Sequence, residues 1–101
     1  MTPEGRVKAA VKRILDQFKP VWYFMPVQGG YGKAGVPDFI VCANGNFFSV
    51  ECKADGEKPT QLQSLQMSLI MAANGVAIVT VGLSETMWVA KHLQMMGCQP
   101  K

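Results

Sequence analysis

The sequence predicts an α/β fold: a mixed β-sheet with flanking helices on both faces, in the order α-β-β-β-α-β-α. Three observations carry that prediction. Apolar residues recur at helical spacing from Val7 to Phe18 and again from Leu62 to Ala72. Between these segments Asn44-Gly45 joins two β-rich apolar runs, Phe39-Ile40-Val41-Cys42-Ala43 and Phe47-Phe48-Ser49-Val50, the strongest short-range hairpin signal. Residues Val76 to Val81 then form a continuous β-branched run, typical of a strand covered on both faces.

Composition bounds the rest. A chain of 101 residues is one domain, spanning residues 1–101, and can bury a modest core without staples. At 49% apolar residues it is no disordered tail. No apolar run approaches a membrane span, and no charged n-region followed by an apolar h-region opens the chain, so an intracellular protein that is not secreted is expected. Cys42, Cys52 and Cys98 have no zinc spacing and are expected as reduced thiols.

The elements follow in order. Thr2-Pro3-Glu4 starts a helix, with Thr2 as N-cap and Pro3 at the first helical position. Val7, Val11, Ile14 and Phe18 form its core stripe, and Pro20 ends it. Glu4 heads that stripe. An acid there suits the helix dipole, and it also points toward the interior edge of the fold. Arg6, Lys12, Arg13 and Lys19 form the exposed face, either solvated or turned toward phosphate. Val21 to Val27 reads as a first strand, and Pro26 marks an edge or an end. The Gly-rich loop from Gln28 to Gly35 is no P-loop, because no Gly-Lys-Ser/Thr opens a helix after it. Its Tyr31 and Lys33 are candidates to close on a backbone phosphate.

After the hairpin, Thr60 and Gln63 have the spacing of a capping box at the head of a second helix; alternatively Gln63 reaches toward the hairpin's open end. Leu62, Leu65, Leu69 and Ala72 are expected as its buried stripe, and Asn74-Gly75 as its stop. Ser84 is expected to cap a last helix running to about Met96, stopped by Gly97; His92 on it is expected at the surface or in packing.

The chemistry lies at the open end of the hairpin. With Asn44 and Gly45 as the two loop residues, Ala43 pairs with Asn46 and Asp38 falls opposite Glu51. Directly opposed residues share a face with Cβ atoms roughly 4.5–5.5 Å apart. Lys53, two residues past Glu51, shares that face. Opposed like charges destabilise a sheet. A divalent cation turns that repulsion into binding, and oxygen ligands suit Mg²⁺ or Mn²⁺. The net charge is only +3. If Glu4, Asp38 and Glu51 face a metal, however, only Asp16, Asp55, Glu57 and Glu85 remain against nine basic residues other than Lys53. Such an exterior suits a polyanion.

These residues carry a resemblance. Glu4, Gly35-Val36-Pro37-Asp38, Glu51-Cys52-Lys53 and Thr60-Gln61-Leu62-Gln63, in this order, resemble the VRR-Nuc (virus-type replication-repair nuclease) domain of the PD-(D/E)XK nuclease superfamily. The resemblance implies a restriction-endonuclease-like core and a metal-dependent phosphodiesterase acting on DNA. It implies Mg²⁺ or Mn²⁺ bound by Asp38, Glu51 and the Cys52 carbonyl. Lys53 would position or activate the attacking water, and Glu4 and Gln63 would support the metal and its waters. Arg6, Lys12, Arg13, Tyr31 and Lys33 are the candidate DNA contacts. Short stand-alone members resemble Holliday-junction resolvases that work as dimers, so a homodimer on branched DNA is expected, in the cytoplasm or, for a viral protein, in that of its host. A nuclease or nickase on linear or flap DNA, and a non-catalytic junction-binding module, are the alternatives.

Overall fold

The computed structural model describes residues 1–27 and 33–101. Helix α1 (Pro3–Asp16) is followed by strands β1 (Phe18–Lys19), β2 (Val21–Phe24), β3 (Phe39–Ala43) and β4 (Asn46–Lys53). Helix α2 (Gln61–Ala72), strand β5 (Val76–Val81), a 3₁₀ turn (Leu83–Thr86), helix α3 (Met87–Met95) and strand β6 (Gln99–Pro100) complete the chain. A four-stranded mixed sheet of order β2-β3-β4-β5 has only β4–β5 parallel. This mixed α/β architecture is compatible with a restriction-endonuclease-like core.

The hairpin has the expected register. Ala43 pairs with Asn46 and Phe39 with Val50. Asn44 (φ 50°) and Gly45 (φ 82°) both take the positive φ that a type I′ turn requires. Alternation then sorts the side chains. Phe39, Val41, Ala43, Phe48, Val50 and Cys52 join Val7, Val11 and Leu15 of α1 and Val89 and Leu93 of α3 in one core. Glu51 and Lys53 therefore belong to the opposite face of the sheet, on the side where α2 supplies Gln63.

Helix α1 begins as expected, with the Gly5 N–H donating to Thr2 Oγ1 at 3.0 Å. It ends earlier, at Asp16. Pro20 disfavours helical geometry at Lys19, and Phe18–Lys19 pair instead with Gln99–Pro100, a contact between chain ends that no local pattern announces. Phe18 stays buried from its strand position. Strand β2 stops at Phe24, so Pro26 lies beyond it, and β2 is an edge. Strand β5 is the other edge of the sheet and mostly half-buried, with Ile78 packed against the core and α2 lying against the strand. Ser84 sits inside the 3₁₀ turn and caps nothing, whereas Gly97 (φ 88°) ends α3 as expected. His92 packs edge-on against Phe48, ring centroids 4.7 Å apart.

The largest correction concerns α2. Leu62, Leu65 and Leu69 are 53%, 51% and 53% exposed, and Ala72 is exposed too. The helix turns Gln63, Gln66, Met67 and Ile70 inward instead. One residue is about 100° of helix rotation, so bringing Gln63 to the sheet swings the leucines out. Among the described residues no helix is long and apolar enough to cross a membrane.

Candidate metal centre

Four elements converge at the open end of the hairpin. The first two turns of α1 supply Glu4 and Lys8, and the approach to β3 supplies Asp38. The end of β4 supplies Glu51, Cys52 and Lys53, and the first turn of α2 supplies Gln63. Gly35 lets the approach to β3 meet the first turn of α2. It has φ 78°, and a Cβ there would lie 2.5 Å from the Leu62 carbonyl carbon and 2.8 Å from the Gln63 nitrogen. Only a glycine lets the chain entering β3 pass this close to the first turn of α2.

Asp38 stands just before β3, buried, and its Oδ2 accepts the Cys52 N–H at 2.8 Å. In an extended strand a residue's N–H and C=O leave on the same side. The Cys52 carbonyl thus faces the same gap beyond the end of β3. The Cys52 thiol is on the core face, pushed up to about 12 chiefly by burial, so this residue's chemistry at the site is that of its backbone.

Glu51 is only 2% exposed. Its Oε2 accepts from Gln63 Nε2 at 3.0 Å and lies 3.8 Å from Lys53 Nζ. Its Oε1 is buried with no hydrogen-bond partner. Burial first, and then the charge of Asp38, push its carboxyl up to about 8; Lys53 opposes them. Lys53 Nζ also lies 3.9 Å from Glu4 Oε1. Gln63 serves both roles the sequence allowed. Its Oε1 accepts the Thr60 N–H at 2.8 Å and its N–H donates to Thr60 Oγ1 at 3.2 Å, closing the capping box, while its Nε2 holds Glu51.

Lys8, on no motif, completes the cluster: its Nζ is 3.3 Å from Asp38 Oδ1 and 3.6 Å from Glu4 Oε2. Burial works against its charge, but Asp38 and Glu4 outweigh it and raise its pKa. The spacing from Glu4 to Lys8 marks an ordinary i,i+4 helix pair; only the fold brings Asp38 to it.

The expected basic contacts scatter. Arg6 lines a cavity of about 170 Å³ with Ala54, Asp55 and Gly82, just past Lys53. Lys12 pairs with Asp16 at 3.1 Å, and Arg13 lies in the last turn of α1. Lys33 borders a separate cavity of about 450 Å³ with Phe47, Gln66, Leu69 and Ile70. Tyr31 lies outside the described residues.

The donors fit a hard divalent cation. They are carboxylate and carbonyl oxygens, and the orphaned Glu51 Oε1 is a buried acceptor in want of a positive partner. As the side chains stand, no three His, Cys, Asp or Glu residues among those described form a ready metal cluster, because Lys8 and Lys53 lie between the acids. Three carboxylates face two ammoniums.

Fold and corner together define a mixed α/β domain with a lysine-bridged acidic site at the open end of its central hairpin. No family profile matches the chain. It is similar to a phage protein, "Putative nuclease p44" of Acyrthosiphon pisum secondary endosymbiont phage 1, at 45% identity over 49 residues. The match covers 48% of this chain and 53% of that protein, so the chain spans about half the length of the curated relative it matches.

Proposed function

We propose that this chain is a nuclease that hydrolyses DNA phosphodiester bonds with Mg²⁺ or Mn²⁺, in the manner of VRR-Nuc domains. One observation carries the reading: a buried glutamate with an orphaned oxygen, set against a second buried carboxylate and a lysine at one strand end. The likeness to a nuclease-named phage protein supports the same class of activity.

Asp38, Glu51 and the Cys52 carbonyl would hold the metal, and Glu4 would act on it through water. When bound, the cation supplies charge against the nonbridging phosphate oxygens and acidifies water. Asp38 is oriented by the Cys52 N–H and Glu51 by the Gln63 amide, so neither carboxylate must reorganise during the reaction. Lys53, anchored between Glu4 and Glu51, holds a positive charge where the water and phosphate meet. It serves electrostatics and positioning rather than general-base work. Arg6, Lys12, Arg13, Lys33 and Tyr31 are the proposed contacts to the DNA backbone.

Branched DNA such as a Holliday junction is the proposed substrate, cut by a homodimer inside the cell, or inside the host cell for a viral protein. The dimer is supported by the uncharged outer face of α2, with Leu62, Leu65 and Leu69 exposed. It is supported too by exposed Trp22, Phe24 and Phe47 on the sheet face that carries Glu51. The α2 face carries no charged residue to repel its copy in a two-fold pair. The free thiols of Cys42, Cys52 and Cys98 support the intracellular setting.

The test is a panel of four-way junction, flap, splayed and linear duplex DNA with Mn²⁺, run with wild type and Asp38→Asn. The reading expects junction cleavage by wild type and none by Asp38→Asn. Preferred cutting of linear or flap DNA would replace the substrate. Binding without cleavage of any substrate would make this a junction-binding module.

A further inference from the structure

Lys8 is the one member of the acidic corner that belongs to no motif. The two oxygens of Asp38 are engaged differently. Oδ2 is tied to the Cys52 backbone at 2.8 Å, a fixed donor at the end of a strand. Oδ1 lies 3.3 Å from Lys8 Nζ, which reaches it across a flexible four-carbon stem. Oδ1, the oxygen that Lys8 now neutralises, is therefore the less committed of the two toward an incoming cation.

The two lysines of the corner are not equivalent. The Lys53 side chain is 9% exposed and lies among Glu4 and Glu51. The Lys8 side chain is 31% exposed and reaches Asp38 from the helix surface, with Glu4 one turn before it. Lys8 can leave Asp38 by rotating into water without breaking a packed contact of the core, which it does not join. Lys53 has no such exit.

We propose that Lys8 is a resident counter-cation: it balances Asp38 in the metal-free protein and must be displaced for a divalent ion to bind, so it sets the threshold for metal loading. The inference rests on the metal-dependent reading above. It is a positioning role with two effects of opposite sign. Lys8 stabilises the metal-free fold, because without it Lys53 alone offsets the mutual repulsion of Asp38, Glu4 and Glu51. It weakens metal binding, because the incoming ion competes with it for Asp38 Oδ1. A lysine that merely supported the structure would help both.

The test is calorimetric titration of chelator-stripped protein with Mn²⁺ alone, beside thermal melts of the same samples. Lys8→Met keeps the stem and removes the charge. It is expected to bind Mn²⁺ about two- to fivefold tighter than wild type, the scale of one partly exposed ion pair, while its metal-free form melts lower. Lys8→Gln, a second neutral variant, moves both readouts the same way. Lys8→Arg, which keeps a cation there, stays within about twofold of wild type. Unchanged or weaker Mn²⁺ binding by the two neutral variants overturns the proposal. If wild type itself binds no Mn²⁺, the metal-dependent reading falls and takes this inference with it. If wild type binds and the neutral variants match it, only the role of Lys8 falls.

Discussion

Replacing Glu51 by glutamine should make the metal-free protein more stable, and increasingly so as pH rises. Glu51 is buried, and its carboxyl is raised from 4.5 to about 8, by burial first and by Asp38 second. A pKa higher in the folded than in the unfolded state means that the folded protein holds the extra proton between these two values. Stability therefore falls as pH climbs through that window, and the loss is complete above about pH 8. At 1.36 kcal/mol for each tenfold change in proton affinity, the interval corresponds to about 3–5 kcal/mol. In a domain of this size that is a drop of more than about 10 °C in Tm. Glutamine has no charge to bury at any pH. Urea denaturation in EDTA from pH 5 to pH 9 is the assay. The stability of Glu51→Gln minus that of wild type should climb by about 3 kcal/mol across the range. Saturating Mn²⁺ at pH 8 should recover wild type by about 3 kcal/mol at a hundredfold excess over Kd and leave Glu51→Gln unmoved. Two parallel pH profiles would refute the reasoning, because they would mean that Glu51 ionises in the fold as freely as it does unfolded.

The other predictions concern single contacts. Lys53→Ala should abolish DNA cleavage, by at least about a hundredfold in kcat, while calorimetry still detects Mn²⁺ binding; loss of metal binding in that variant would remove Lys53 from its positioning role. Thr60→Ala and Gln63→Ala should each lower stability by about 1 kcal/mol through the shared capping box, measured in urea. Only Gln63→Ala should also reduce cleavage, since it alone frees Glu51. Leu65→Glu, at a half-exposed position, should leave the monomer's melt unchanged and shift sedimentation from dimer to monomer.

The hairpin was legible because its determinants are local. Asn44 and Gly45 take a turn that needs positive φ, and the two-residue loop fixes which residues face each other, so the pairing of Ala43 with Asn46 follows from chemistry within a few positions. The caps at Thr2 and Thr60 are equally local. What could not be read arises from contacts distant in sequence. The early end of α1 depends on Gln99–Pro100 returning to pair with Phe18–Lys19. The rotation of α2 was misread because its leucines form the more apolar stripe, while the inward stripe is set by a polar bond from Gln63 to Glu51 and by Gly35 crossing its first turn. Lys8 looked like a routine helix pair with Glu4, because its distinguishing partner, Asp38, is thirty positions away.

The end of this hairpin is proposed to hold a divalent cation. Anomalous diffraction from a crystal soaked in Mn²⁺ tests it most directly. A manganese peak within about 2.0–2.4 Å of Asp38 Oδ1, Glu51 Oε1 and the Cys52 carbonyl oxygen, with Lys8 swung away, is the predicted result. A soaked crystal with no peak there, and with Lys8 still on Asp38, would contradict it.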